Sequence, residues 1–182
     1  GRYPSLRTEI EAVASALRKH AIATELKWPS VWQHGDFKLE NLILDPATYS
    51  IVGVIDWELS CERGLPLLDL LYLIVYDRGV NEGLKLEDVY LMEILEWKFS
   101  ARDNALLDEY LRTVGMTVTD AKIWAATYLI HDIGIRRFYS VSDPQHVSIL
   151  KKMLSKTADA LASPQSGAAA ELRGAPAAGT ST

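Results

Sequence analysis

Two short apolar segments joined by a turn constrain the fold of this chain more than any other feature of its sequence. Residues 42–44 are Leu-Ile-Leu, and residues 51–55 are rich in β-branched side chains. Residues 45–50 lie between them and begin with Asp-Pro, which favours a turn. The pattern predicts an antiparallel hairpin. A hairpin this short is not stable alone, so it must pack against other elements.

Apolar residues recur at helical spacing along most of the remaining chain. They predict helices over residues 4–20, 67–77, 87–100, 103–114 and 119–139, and a last helix that starts at Asp143-Pro144. Residues 67–77 are apolar on nearly every side, which predicts a buried central helix. The expected fold class is therefore α+β and mainly helical.

The end of the chain differs in composition from the rest. Residues 162–182 consist largely of small residues and proline and contain almost no large apolar side chain. Such a segment cannot bury enough apolar surface to offset the entropy that is lost on ordering. We therefore expect one folded domain over residues 1–161 and a disordered tail over residues 162–182.

Charge and composition argue against several classes of function. The formal net charge of −5 at pH 7 disfavours nucleic acid as a partner, because phosphate backbones select basic surfaces. No apolar run approaches the roughly 20 residues that a membrane-spanning helix requires. Cys61 is the only cysteine, so an internal disulfide is impossible and a reducing compartment is favoured. We expect a cytoplasmic protein that binds neither nucleic acid nor membranes.

Polar residues lie at both ends of the predicted hairpin. Asp36 and Asn41 precede its first strand, and Asp56 follows its second. Because a hairpin brings its ends together, we expect Asn41 and Asp56 to face one site, where their oxygens suit Mg²⁺ together with water and substrate phosphates. Asp36 is a nearby carboxylate that can orient an attacking hydroxyl and accept its proton. Phosphoryl transfer requires this combination of groups.

The same stretch carries a resemblance to a known family. Residues 34–41 read HGDFKLEN, which resembles the catalytic loop of protein kinases and of aminoglycoside and choline kinase-like phosphotransferases. Residues 55–58 (IDWE) and 64–70 (GLPLLDL) are similar to the small-molecule branch of that family. The short segment after Asp56 leaves no room for the activation loop of a protein kinase.

The resemblance implies a kinase-like large lobe whose small hairpin carries the catalytic and metal-binding loops. It implies that Asp36 is the catalytic base, that Asn41 is a Mg²⁺ ligand and that Asp56 is the principal Mg²⁺ ligand. Lys38, Asn41 and Asp56 would together bind Mg²⁺ and ATP, with Lys38 contacting the transferred phosphate. A plain surface position is the alternative for Lys38.

Three residues beside these are expected to support the loop. The resemblance implies that His34 braces it and that Asp69 binds its backbone amides. Trp57 follows Asp56 directly and is expected to be a packing residue, with contact to the loop or to the substrate as the alternative.

The resemblance also implies that part of a kinase is absent. The family's small lobe supplies a lysine that holds the nucleotide phosphates, its glutamate partner and a covering loop. Residues 1–33 contain no glycine-rich phosphate loop. We therefore expect this chain to be the large lobe of a longer protein, with the small lobe N-terminal to it on the same full-length chain. Alone, it is expected to have little or no kinase activity.

Three functions follow from these observations. The first is ATP- and Mg²⁺-dependent phosphoryl transfer to the hydroxyl of a small molecule such as an aminoglycoside, a sugar or an amino alcohol. The second is a non-catalytic, kinase-derived interaction domain, and the third is a protein kinase. Five acidic residues either contact a cationic acceptor or belong to solvated helix faces, namely Asp77, Glu82, Glu93, Glu96 and Asp132.

Overall fold

The computed structural model describes residues 4–23, 29–135 and 143–163. The helices of this part are α1 (Arg7–Ala23), α2 (Leu68–Glu82), α3 (Leu86–Val89), α4 (Ala101–Val114), α5 (Val118–Ile135) and α6 (Pro144–Ala162). Its strands are β1 (Val31–Gln33), β2 (Leu42–Leu44), β3 (Ile51–Val54) and β4 (Cys61–Gly64). The chain is mainly helical with two small antiparallel sheets, which agrees with the predicted α+β class. Within these three ranges, no helix has the length and apolar character needed to span a bilayer.

The predicted hairpin is present and consists of β2 and β3. The two strands pair antiparallel, with Leu42 opposite Val54. The Asp45 carboxylate accepts hydrogen bonds from the backbone N–H groups of Ala47 (2.8 Å) and Thr48 (2.9 Å), which closes the turn. This is the local side-chain-to-backbone bonding that makes Asp a turn residue.

A second antiparallel ribbon, formed by β1 and β4, was not predicted. Val31 pairs with Gly64, and the following positions pair with a shift in register. A Cβ atom added at Gly64 would overlap the side chain of Gln33, so the close approach of the two strands requires glycine. The Cys-Glu-Arg-Gly sequence of β4 lacks the β-branched and aromatic residues that identify a strand. Residues 61–64 form a strand only because they pair with β1.

The core lies among the helices. α1 packs against α6 and α5, and α2 packs against α5 and α3. α2 buries one face, formed by Leu68, Leu70, Leu71 and Ile74, whereas we expected a helix that is buried on nearly every side. The last helix begins as predicted, because the Asp143 side chain accepts from the N–H of Gln145 and Pro144 occupies the first turn.

The prediction of one helix over residues 87–100 is wrong. α3 continues into a single π-helical turn at Tyr90–Ile94, and helical structure stops before Trp97, whose φ is 54°. A left-handed residue cannot continue a right-handed helix. Ser100 then caps the next helix by accepting from the N–H of Asp103. The periodicity of the apolar residues spans this break, which is why the sequence pattern missed it.

Two predictions fall wholly or partly outside the described residues. The helix expected over residues 119–139 is seen as α5, and its last predicted residues lie beyond residue 135. The tail expected over residues 162–182 begins within α6, because that helix includes Ala162 and Ser163 donates to the Asp159 carbonyl (3.0 Å). Residues 164–182 lie outside the described residues, so their predicted disorder stays a prediction.

Candidate functional site

Asp69 holds the loop that joins β1 to β2. It lies in the first turn of α2, and its carboxylate accepts from the backbone N–H of His34 (2.6 Å) and of Gly35 (2.9 Å). Hydrogen bonds to an ionised group are stronger than neutral ones, so this contact restrains the loop firmly against the helix. The expectation that Asp69 binds backbone amides of the loop is confirmed.

His34 ties the same loop to the end of β3. The ring is 2% exposed, and its Nε2 lies 2.8 Å from the carbonyl oxygen of Ile55. Because a carbonyl only accepts, Nε2 carries the hydrogen, and Nδ1 is free to accept from the N–H of Asp36 (3.2 Å). Both ring nitrogens of a neutral imidazole are therefore used. The predicted bracing role of His34 is confirmed.

Gly35 allows the loop to turn between these two supports. Its φ is +84°, and a Cβ atom added there would overlap the carbonyl oxygen of Leu59. The left-handed region and the close approach both favour glycine at this position.

Gly35→Ala is expected to destabilise the chain by about 1–3 kcal/mol, because alanine is strained at this φ and its Cβ has no room. Urea unfolding monitored by circular dichroism would measure the change. Gly83→Ala is the matched control, since Gly83 also has a positive φ (+67°) but open space around a Cβ. Equal losses for both variants would show that the overlap with Leu59 contributes nothing.

Three of the four predicted site residues meet through their side chains. Asn41, 5% exposed, donates from Nδ2 to the backbone oxygen of Asp36 (2.8 Å) and to its Oδ2 (3.3 Å). Lys38 Nζ forms an ion pair with the same Oδ2 at 2.8 Å. The hydrogen bond to Asp36 raises the pKa of the Lys38 ammonium. The Asp36 carboxylate is thus held from two sides, and Lys38 is more than a solvated surface lysine.

The orientation of the Asn41 amide follows from these contacts. Both of its side-chain hydrogen bonds use the nitrogen, so its oxygen remains available as an acceptor. The backbone oxygen of Asn41 accepts from the N–H of Ile55 (2.9 Å), which closes the open end of the hairpin. Asp56, the next residue, therefore lies beside Asn41, as the hairpin argument predicted.

The side chain of Asp56 differs from the other three in having no protein partner within residues 4–23, 29–135 and 143–163. Its φ is 64° and its side chain makes no capping bond, and no hydrogen bond or ion pair reaches its carboxylate from the described part of the chain. Asp36, Lys38 and Asn41 contact one another, whereas Asp56 joins them only through the backbone of Ile55. An exposed carboxylate in a disfavoured conformation is a suitable ligand for a cation.

The donor set at this site fits Mg²⁺. Mg²⁺ usually takes one or two protein oxygens and completes its shell with water and substrate phosphates. Asp56 and the Asn41 amide oxygen supply two oxygens of the required kind. Across residues 4–23, 29–135 and 143–163, no three His, Cys, Asp or Glu side chains gather into a self-contained metal site.

Trp57 contacts the loop, which was the alternative to a plain packing role. Its Nε1 donates to the carbonyl oxygen of Val54 (2.8 Å), and its ring centroid lies 4.6 Å from that of His34. Trp32 contacts the Trp57 ring edge-on at 6.2 Å. These aromatic contacts hold the segment after Asp56 against the loop.

Sequence reasoning missed two polar contacts around the loop. The Tyr76 hydroxyl donates to Glu40 Oε1, which links α2 to the turn that ends at Asn41. Gln33, the residue before His34, has its Nε2 3.3 Å from His131 Nε2 of α5. Neither contact has a sequence signal, because each joins residues that are 36 or more positions apart.

The acidic residues that were considered for a cationic acceptor have partners within the protein. Arg78 forms ion pairs with Asp77 (3.7 Å), Glu82 (2.9 Å) and Glu93 (3.2 Å). Glu96 pairs with Lys98 (3.4 Å), and Asp132 is buried. The default interpretation as solvated helix faces is therefore wrong for Asp132, which is buried, and for Asp77 and Glu93, whose side chains are largely buried, whereas Glu82 remains on an exposed face.

Comparison with known proteins gives one family match. The model of the phosphotransferase enzyme family (APH) matches residues 2–98, which include the loop, the hairpin and α2. Proteins named "Acyl-CoA dehydrogenase family member 11" are similar over a short stretch: those of Mus musculus and Rattus norvegicus are each 46% identical over 43 residues, and that of Gallus gallus is 49% identical over 39. The aligned stretch covers 24% of this chain for the first two and 5% of each relative's length. No solved structure matches the chain.

Proposed function

Because the chain belongs to the phosphotransferase enzyme family, we propose that it supplies the base and metal ligands of a site that transfers a phosphoryl group from ATP to a small-molecule hydroxyl. In this proposal residues 1–161 are the kinase-like large lobe. The observation that carries the proposal is the position of Asn41, whose amide nitrogen holds Asp36 and whose backbone oxygen accepts from the N–H of Ile55, the residue before Asp56.

Each site residue has a distinct role in this reaction. Asn41 and Asp56 would hold Mg²⁺, which when bound neutralises the negative charge of the phosphates. Asp36 orients the acceptor hydroxyl and takes its proton as the acceptor oxygen bonds to the γ-phosphorus and the bond to the departing ADP breaks. Lys38, whose ammonium pairs with Asp36, would contact the transferred phosphoryl group.

In this proposal, groups outside this chain bind the nucleotide. Within the described residues ahead of His34 there is a helix that packs on α6 and one short strand, and neither contains a phosphate loop. Large apolar side chains are exposed on the hairpin and its flanks, namely Trp32, Leu39, Ile43, Leu44, Tyr49, Ile51, Val52, Ile55, Trp57 and Leu59. Exposed apolar side chains in this number fit an interface. We propose that a small lobe of the same full-length protein covers it, so that this chain alone has little or no activity.

The acceptor in this proposal is a small hydroxylated molecule of the aminoglycoside, sugar or amino alcohol class. The proposal for the acceptor rests on the family, since the acidic residues around Arg78 are engaged within the protein. A substrate screen with the full-length protein identifies the acceptor.

Asp56→Asn is expected to weaken binding of Mn²⁺ in the presence of ATP by about tenfold or more, which corresponds to roughly 1.4 kcal/mol. Asparagine tolerates the left-handed backbone of this position, so the variant removes the charge without adding strain. Electron paramagnetic resonance of free Mn²⁺ measures the affinity. Asp108→Asn, on the exposed face of α4, removes the same charge away from the site and should bind as the parent does. Equal affinities for Asp56→Asn and the parent would refute the metal-ligand role of Asp56.

A non-catalytic interaction domain is the second candidate function. The exposed apolar side chains of the hairpin favour it, because they suit a protein partner as well as a small lobe. Calorimetry with Mg²⁺ and ATP on the full-length protein separates the two. Magnesium-dependent nucleotide binding supports the phosphotransferase, and its absence supports the interaction domain.

A further inference from the structure

We propose that Tyr110 of α4 is a positioning residue for the loop at residues 34–41, and that it acts through Leu67 and Asp69. No hydrogen bond in the described part of the chain joins Tyr110 to the loop itself. The effect on phosphoryl transfer rests on the proposed function, whereas the effect on the loop does not. No sequence motif points to Tyr110, which is 43 positions from Leu67.

The first step is the backbone of Leu67. This residue directly precedes α2, has φ 69° and ψ −21°, and is 1% exposed. A branched apolar side chain rarely adopts a left-handed backbone, so surrounding contacts must hold the conformation. The Leu67 oxygen accepts from the N–H of Leu71 (2.8 Å) and thereby starts the helix. The conformation of Leu67 therefore sets the direction in which α2 leaves.

The second step is the hydrogen bond that satisfies Leu67. Its backbone N–H donates to the hydroxyl oxygen of Tyr110 at 3.0 Å. Burial raises the pKa of the Tyr110 phenol, so the group stays neutral and accepts through an oxygen lone pair. A buried backbone N–H without an acceptor is energetically unfavourable. Loss of the Tyr110 hydroxyl would therefore favour other backbone conformations of Leu67.

The third step connects α2 to the loop. Asp69, two residues after Leu67, accepts from His34 N–H (2.6 Å) and Gly35 N–H (2.9 Å). A small rotation of the first turn of α2 moves both oxygens away from these amides together. His34 and Gly35 lead directly into Asp36, so the position of the base depends on the same turn. Phosphoryl transfer depends strongly on such positioning.

Loss of the Tyr110 hydroxyl leaves the fold otherwise supported. α4 contacts α2 at a second point, where Arg78 binds Asp103. The Tyr110 ring packs against the core, and Tyr110→Phe retains it. The variant is therefore expected to fold.

Tyr90→Phe is a matched control for Tyr110→Phe. Tyr90 is fully buried, and its hydroxyl bonds the Thr157 hydroxyl at 2.8 Å, which ties the π-helical turn to α6. Both variants remove one phenolic oxygen from a protein hydrogen bond, and both should lower the stability of the chain. Only Tyr110→Phe is expected to affect the loop.

The test is amide hydrogen exchange at His34 and Gly35, measured by NMR in the parent and both variants. Loss of global stability by itself raises the exchange rates of protected amides. In Tyr110→Phe the rates at His34 and Gly35 should rise about five- to tenfold more than this general effect. In Tyr90→Phe the exchange rates of these two amides should rise only as much as the loss of global stability predicts. Equal excess in the two variants, or none in either, would overturn the positioning role.

A kinetic measurement on the full-length protein completes the test. Tyr110→Phe should lower kcat about tenfold with little change in KM for ATP, and Tyr90→Phe should change neither by more than about twofold. Unchanged kcat in Tyr110→Phe would refute the catalytic consequence. If the parent transfers no phosphoryl group, the proposed function fails, while faster exchange at His34 and Gly35 in Tyr110→Phe still supports the positioning role.

Discussion

Asp36→Asn in the full-length protein is expected to lower kcat by about 10²–10⁴-fold with little change in KM for ATP, the range by which a positioned general base accelerates a reaction. Asparagine has nearly the same shape as aspartate but does not take the proton of the acceptor hydroxyl. The variant also removes the ion pair that Lys38 makes at 2.8 Å, while Asn41 keeps its bond to the Asp36 backbone oxygen. The loop should therefore stay folded.

The rate of ADP release at saturating Mg²⁺ and ATP measures this effect, with the acceptor found in the substrate screen. Asp108→Asn provides the control for loss of one surface carboxylate and should leave kcat within about twofold of the parent. A kcat for Asp36→Asn that is also within twofold would mean that another group accepts the proton. Asp36 would then have a structural role in the loop.

Arg78→Met is expected to destabilise the chain by about 3–5 kcal/mol, because it leaves the buried carboxylate of Asp103 and the partly buried carboxylate of Glu93 without their cation. The Arg78 side chain is only 11% exposed and contacts Glu93 at 3.2 Å and Glu82 at 2.9 Å. It also binds Asp103, whose side chain is 9% exposed. These carboxylates come from three separate elements, so one guanidinium joins α2, the π-helical turn and α4. Methionine keeps the apolar stem and removes the charge.

Urea unfolding of the chain, monitored by tryptophan fluorescence, measures the loss of stability. Arg7→Met is the matched control, because Arg7 pairs with Glu11 at 2.8 Å but both side chains are largely exposed. Solvent-exposed ion pairs contribute little, so the control should change stability far less. Similar losses for the two variants would show that burial of the Arg78 cluster has no energetic consequence.

Features that depend on neighbouring residues were predictable. Asp45 closes the hairpin turn with bonds to residues two and three positions away, and Asp143 with Pro144 starts α6 in the same local way. Alternation and turn residues express such contacts directly in the sequence. The helix break near Trp97 was not predictable, because its left-handed backbone interrupts a stretch whose apolar spacing continues unchanged. The spacing of apolar residues indicates which face of a segment is buried, but it does not indicate where the helix ends.

The sequence alone determined that a short hairpin lies among helices and that Asp36, Asn41 and Asp56 stand at its open end. Tertiary structure decided how the loop that carries Asp36 is held. The carboxylate of Asp69, 34 and 35 positions away from Gly35 and His34, accepts hydrogen bonds from both of their amides. The physical reason is the distance along the chain between the interacting residues. Residues a few positions apart determine turns and helix starts, whereas the hydrogen bond between Tyr110 and Leu67 forms only after segments distant in sequence have packed together.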